Sequence, residues 1–334
     1  MVRIRAARSV IAGLMAAVLA AAPLPAAAGS NPVRAHGGLV VAQEGRAAGV
    51  GAAVLREGGN AVDAAVATAF ALAVTHPTAG NLGGGGFLVW RAADGAAAAY
   101  DFRETAPAAA QPRMWLDGQG RYDEDRHHWS HAAVGVPGTV AGLHLAWREQ
   151  GRLPWARLLA PAIALAGDGF PVDENLARSL AAKWVRLAPH PASRAQFGRD
   201  GAPLAAGDTL RQPELARTLA RIAADGPAAF YAGETAGLIV AEMAAHGGLI
   251  TRADLAAYRA VRRVPVRGRY RGYEVIGMPP PSSGGVSVIQ VLNILEGYDL
   301  AASGHGAAAT VHLLAEALRR VFAERAVLLG DPEA

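Results

Sequence analysis

The sequence predicts a layered fold of helices and sheet with an antiparallel element. Three observations predict it. A helix too apolar to face water, AVDAAVATAFALAVT, lies at residues 61–75. Two short strand patterns follow, joined across Asp94-Gly95, and strand alternation returns between Val264 and Ile276. With 334 residues, 52% of them hydrophobic and 18% charged, the chain has ample material for a large core and is far from a disordered composition. No internal repeat or low-complexity linker divides it, so one packed domain is expected after the amino-terminal segment.

That segment, residues 1–28, reads as a secretory signal peptide. Arg3, Arg5 and Arg8 form its basic start, and Val10 to Ala22 is an unbroken apolar run. Pro23 and Pro25 end the run, and Ala26-Ala27-Ala28 offers the small residues a signal peptidase needs. The run is short for a bilayer span, which takes about 20 residues. The expectation is therefore a mature chain from Gly29, periplasmic or secreted, with no membrane attachment once the signal is removed. The formal charge of +4 is misleading, because three of those charges are Arg3, Arg5 and Arg8. A body left at +1 argues against a nucleic-acid partner. The absence of cysteine excludes disulfides, thiolate catalysis and cysteine metal sites.

Along the mature chain, Leu39–Ala42 has the apolar run of a buried strand. A helix follows from Gln43 to Glu57, with Ala47, Val50, Val54 and Leu55 at helical spacing and Gly58-Gly59 ending it. Asn60 caps the next helix, with Asp63 three residues on in capping-box position, and His76-Pro77 stops it. Strands are expected at Phe87–Arg91 and Ala97–Phe102. Residues 105–135, rich in Pro, Gly, Asp and His, read as loop. Helices are expected at Thr139–Gln150, Pro154–Asp168, Asp173–Arg186 and Pro213–Ala224, and Thr251 with Asp254 marks another helix start. A rigid turn at residues 279–285 leads into an apolar helix, Val286–Leu295, and Thr310–Leu329 is the last helix.

Few residues could carry chemistry. The run Gly83–Gly86 is no phosphate-binding loop, since no Lys-Ser/Thr pair follows and Leu88 stands where a dinucleotide fingerprint needs Gly. It offers backbone that can approach another group closely, with φ free to be positive. His127, His128 and His131 could ligate a metal, but on a loop-like stretch beside Asp123, Glu124 and Asp125 they read as solvated side chains. No metal is expected. No G-x-S-x-G nucleophile elbow occurs. The arginines from Arg262 to Arg271 alternate like the wet face of a strand. Arg103, at a strand end between Asp101 and Glu104, is either a surface ion pair or a cation held ready by those carboxylates for a substrate carboxylate.

Seven blocks then occur in order: LREGGNAVDAAVA, ALAVTHPTAGNLGGGGF, DFRETAP, VGVPGTVAG, GGLITRADLAAY, RGYEVIGMPPPSSGG and LGDP. Together they resemble the large-subunit region of the gamma-glutamyltranspeptidases, or glutathione hydrolases, from about Leu39 to Pro332. The resemblance implies an α+β N-terminal-nucleophile (Ntn) hydrolase fold, a four-layer αββα sandwich that this chain holds incompletely. It implies a precursor that cuts itself into a heterodimer, and a small-subunit Thr that attacks the γ-glutamyl amide of glutathione. The γ-glutamyl group then passes to amino acids, peptides or water, without a cofactor. Arg103 matches the arginine that grips the α-carboxylate of the donor, and Gly83, Gly84, Gly85 and Gly86 match a stretch shaping the pocket wall. No block resembles the Thr-rich opening of the small subunit, so the nucleophile is expected beyond Ala334 and residues 29–334 form a large-subunit region. Two alternatives stay open: a related acylase acting on cephalosporins or poly-γ-glutamate, and a non-catalytic fragment that binds γ-glutamyl compounds.

Overall fold

A computed structural model describes residues 33–332 of the chain. The signal-peptide segment 1–28 and the expected start at Gly29 lie outside the described residues. Residues from Val40 onward form one compact unit; the described residues 33–39 belong to another and are themselves without helix or strand.

The core is built on two helices, α1 (Gly45–Arg56) and α2 (Ala61–Thr75). Gly58, at φ +91°, closes the chain between them in the left-handed conformation that glycine adopts without strain. Asn60 caps α2 as expected: its side-chain oxygen accepts from the Val62 and Asp63 amides, and Asp63 accepts from the Asn60 amide. Eleven of the fifteen α2 residues are buried, which explains a helix with almost no polar face. At Gly51, a Cβ would stand 2.2 Å from the Thr68 hydroxyl, so glycine lets α1 lie against α2. The buried Gln212 amide donates to the Val74 carbonyl, satisfying an acceptor that the end of α2 leaves open.

Asp63 does more than cap. Fully buried, it also accepts from the backbone amides of Arg152 (3.0 Å) and Leu153 (3.4 Å), tying the loop after the 139–150 helix to α2. Asp63→Ala would leave three amides without an acceptor. It is expected to cost about 3 kcal/mol, read from the denaturant midpoint. A loss within about 0.5 kcal/mol would mean that water replaces the carboxylate.

The hairpin forms as expected, with β1 (Phe87–Arg91) antiparallel to β2 (Ala97–Asp101), and Gly95 at φ +92° in the turn. β2 is central in a three-stranded sheet, paired on its other side with β3 (Val261–Arg263). A separate hairpin joins β4 (Val266–Tyr270) to β5 (Tyr273–Gly277). Helices α3 (Thr139–Gln150), α4 (Trp155–Asp168), α5 (Glu174–Leu187) and α6 (Pro213–Asp225) match the sequence pattern, and the Thr251–Asp254 capping box starts the helix Arg252–Ala257. Phe70 of α2 meets Trp155 of α4 edge-on at 5.5 Å, and the Trp155 indole donates to the Ile222 carbonyl of α6.

Three expectations are corrected. Leu39–Ala42 is not a strand: none of the described residues forms a ladder with it, and Leu39 and Val41 are exposed. Residues 105–135 are not all loop, because Asp123 accepts from the Arg126 amide and starts the helix Glu124–Trp129, followed by a 3₁₀ turn at His131–Ala133. The arginines of 262–271 are not one wet strand face. They fall on β3, β4 and the turn at Arg271, and Arg263 is half-buried. The helix Glu234–Ala245 has no counterpart in the sequence reading.

The last long helices, α7 (Gly284–Glu296) and α8 (Ala308–Leu328), pack on each other and leave much apolar surface outside. Val288, Val311, Leu314, Leu318, Phe322 and Leu328 are all exposed. A chain that shows this face to water is expected to self-associate when purified alone. Size-exclusion chromatography tests this, and a monodisperse monomer with a sharp thermal transition would contradict it.

Candidate functional site

β2 delivers its last residues into a tightly held corner. Gly86 and Phe102 exchange both backbone hydrogen bonds, at 3.1 and 3.0 Å, and so extend the β1–β2 ladder. Gly84 accepts from the amides of Gly138 (2.7 Å) and Thr139 (3.1 Å), and donates to the Asn81 side chain (2.9 Å). Thr139 also donates its hydroxyl hydrogen to the same Asn81 oxygen.

These contacts explain the glycine run, with one correction. None of Gly83–Gly86 adopts a positive φ. Close approach is what requires glycine here. A Cβ on Gly85 would stand 2.3 Å from the Phe102 carbonyl oxygen and 2.8 Å from the Glu104 nitrogen, and one on Gly86 would meet the Phe102 ring at 3.0 Å. Gly83 differs, with open space around it. Gly138 and Gly142, which the sequence reading did not single out, crowd the same residue. Their Cβ atoms would fall 2.0 Å from the Phe102 oxygen and ring, respectively.

Arg103 follows Phe102. Its amide donates to Asp101 (3.1 Å), its carbonyl accepts from the Tyr258 hydroxyl (2.9 Å), and Thr105 bridges Val136 two residues later. The backbone is thus pinned on both sides, while the side chain is exposed. The expectation that Asp101 and Glu104 hold the guanidinium is corrected. Asp101 is buried and pairs with Arg263 at 2.7 Å, because β3 brings Arg263 to the central strand. Among the described residues, the Arg103 guanidinium has no ion-pair partner. It lies on the wall of an open cleft of about 630 Å³, together with Gly83, Glu104, Thr105, Met114 and Trp115.

Tyr258 is the support that sequence reasoning missed, although it ends the block GGLITRADLAAY. Burial, with the nearby Tyr231 phenol and the Asp101 and Glu104 carboxylates adding to it, pushes its phenol up, so it stays protonated and donates to the Arg103 carbonyl. It stacks on Tyr231 at 5.7 Å, whose own hydroxyl donates to the Pro137 carbonyl. Tyr258→Phe is expected to cost about 1 kcal/mol by thermal denaturation, the net worth of one hydrogen bond. An unchanged midpoint would show that water takes its place.

The histidines do not converge. His127 (2.6 Å) and His128 (3.1 Å) share the Tyr122 hydroxyl, whereas His131 lies 3.2 Å from Glu242 and stacks on His246. Among the described residues, no three or more His, Asp and Glu are grouped to hold a metal.

Fold and site together define an α+β scaffold that holds a cation, unpaired among the described residues, on the wall of an open cleft. The chain belongs to the gamma-glutamyltranspeptidase family, whose sequence profile matches residues 47–334. It is 50% identical to the glutathione hydrolase proenzyme of Escherichia coli over 91% of this chain and 52% of that protein. It is 45% identical to the acylase ACY 1 proenzyme of Pseudomonas sp. strain V22, over 90% of this chain and 55% of that one. The chain therefore spans about half the length of the curated relatives it matches. Its structure resembles Helicobacter pylori gamma-glutamyltranspeptidase with a TM-score of 0.89 at 43% identity, covering 91% of this chain and 87% of that chain. A cephalosporin acylase from Bacillus halodurans matches with a TM-score of 0.77 at 30% identity, over 91% of this chain and 58% of that chain.

Proposed function

We propose that residues 29–334 act as the large-subunit region of an exported gamma-glutamyltranspeptidase and bind the γ-glutamyl donor, with glutathione as the leading substrate. The observation that carries this reading is the exposed, unpaired guanidinium of Arg103, standing on a pinned backbone at the wall of a large cleft. A planar fork in that state is ready for two-point contact with an α-carboxylate. Gly85 lets the chain close on the backbone on either side of Arg103, Gly84 and Gly86 make room for the Asn81 side chain and the Phe102 ring, and Gly83 leaves open space at the cleft itself.

The nucleophile is assigned to a small-subunit Thr. Its Oγ attacks the γ-glutamyl carbonyl carbon, its own amine takes the proton and returns it to the leaving amine, and an Oγ-acyl ester forms. An amino acid, a peptide or water then takes the acyl group. Coverage supports this division: the chain spans 52% of the E. coli proenzyme but 87% of the matched H. pylori chain, as one chain of a two-chain enzyme would. The remaining strands of a four-layer sandwich, and a cover for the exposed faces of α7 and α8, come from the same subunit. The signal peptide at residues 1–28 directs the protein to the periplasm or outside the cell.

The test is turnover of a γ-glutamyl anilide. The chain alone is expected neither to hydrolyse it nor to cleave itself, and assembly with a small subunit is expected to restore turnover. Sustained turnover by the chain alone, lost on replacing one of its own Ser or Thr residues, would overturn the assignment. An acylase reading has support in the 45% identity to a Pseudomonas acylase. It predicts that a cephalosporin side chain is cleaved faster than the γ-glutamyl anilide, and that Arg103→Ala leaves that rate unchanged.

A further inference from the structure

A second cavity, of about 340 Å³, lies between α3, the turn at Pro227-Ala228 and the segment 258–260. That volume is near the lower end for small-molecule sites, which run from roughly 300 to 1,000 Å³. Much of its lining is apolar, including Ala141, Leu145 and Pro227, and the stacked rings of Tyr231 and Tyr258 supply a flat aromatic surface. Its charged groups are of one sign: Arg148 and Arg259 line it, and no carboxylate does. Among the described residues, Arg148 has no ion-pair partner. Arg259 spends Nη1 on the backbone carbonyls of Ala256 and Tyr258, both at 2.7 Å, and among the described residues it too has no carboxylate partner. For His144, also in the lining, burial and the nearby Arg148 charge lower the pKa and favour the neutral imidazole, which offers one donor and one acceptor.

We propose that this cavity is a second binding site, for a small organic monocarboxylate with a flat apolar body the size of one ring. Two guanidinium groups without acids call for an anion, and the carboxylate is the planar anion that their fork geometry matches. An inorganic anion would leave the aromatic surface without a partner. A free amino acid would bring an ammonium into a lining that has no acid to receive it. The ligand is therefore chemically unlike a γ-glutamyl donor, and the site goes beyond the function proposed above. The two regions share Tyr258: its ring lines this cavity, and its hydroxyl holds the Arg103 carbonyl.

Benzoate is the probe, titrated calorimetrically into the assembled protein, with no γ-glutamyl donor present. The indoles of Trp147 and Trp155 lie 5.2 and 5.0 Å from the His144 ring, so their fluorescence locates the binding. The expected result is saturable binding of benzoate accompanied by a fluorescence change. Benzyl alcohol, which keeps the ring without the charge, should bind at least tenfold more weakly, as should inorganic phosphate. Arg148→Ala should weaken benzoate tenfold or more, and Arg148→Lys should recover part of the loss. Arg148 is exposed, so these variants are expected to fold. The proposal is overturned if benzoate gives no saturable heat, if benzyl alcohol or phosphate binds as well, or if Arg148→Ala binds benzoate unchanged.

Discussion

Arg103→Ala, in the assembled enzyme, is expected to lower kcat/KM for a γ-glutamyl donor by about 10- to 150-fold. Most of the loss should appear as a higher KM. In the proposed function the donor offers its α-carboxylate to the guanidinium in the ground state and in the transition state alike, so removing the guanidinium should remove uniform binding. The magnitude follows from the worth of a hydrogen bond to a charged group, roughly 1.5–3 kcal/mol. Because the guanidinium has no carboxylate partner among the described residues, no ion pair with them would have to break before substrate binds. Arg103→Lys keeps the charge but loses the two-point fork, and should recover only part of the affinity. Steady-state kinetics distinguishes this from a fall in kcat at constant KM, which would place Arg103 in the chemical step.

The second large effect is expected at Gly85. A methyl group there would meet the Phe102 carbonyl oxygen at 2.3 Å and the Glu104 nitrogen at 2.8 Å, and both are backbone atoms that no rotamer change can move aside. Gly85→Ala is expected to destabilise the protein by about 3 kcal/mol, at the upper end for overpacking. It should also raise KM, because Phe102 and Glu104 are the two neighbours of Arg103. Gly83→Ala is the internal control. Its Cβ meets nothing within 4 Å, so its stability should stay within about 0.5 kcal/mol of wild type or rise slightly, as glycine removal restricts the unfolded chain. Urea denaturation of the two variants decides between close approach and conformational freedom as the reason for the run. Equal losses at both positions would refute close approach.

The same contrast shows what the sequence could reveal. Signals whose partners lie within a few residues were legible: the Asn60–Asp63 and Thr251–Asp254 capping boxes, the Asp94-Gly95 turn, and the glycines closing α1. The surroundings of Arg103 were not. Its carbonyl is held by Tyr258, 155 residues on, and the carboxylate of neighbouring Asp101 is taken by Arg263, 162 residues away. Adjacent charges suggested a local clamp, but strand pairing decided otherwise. Leu39–Ala42 failed for a related reason. Its composition suits a strand, and a strand exists only where a second one runs beside it. Arg103 itself was identified by its motif and its place at a strand end, whereas its freedom from carboxylates became visible only with the sheet in place.

In the proposed function, Arg103 grips the α-carboxylate of a γ-glutamyl donor. The most direct measurement compares that donor with an analogue lacking the α-carboxylate, in wild-type enzyme and in Arg103→Ala. Wild type should favour the complete donor by about 10-fold or more in kcat/KM, and Arg103→Ala should treat the two nearly alike. If both proteins discriminate to the same degree, the carboxylate is bound elsewhere, and Arg103 is an exposed surface cation with no part in donor recognition.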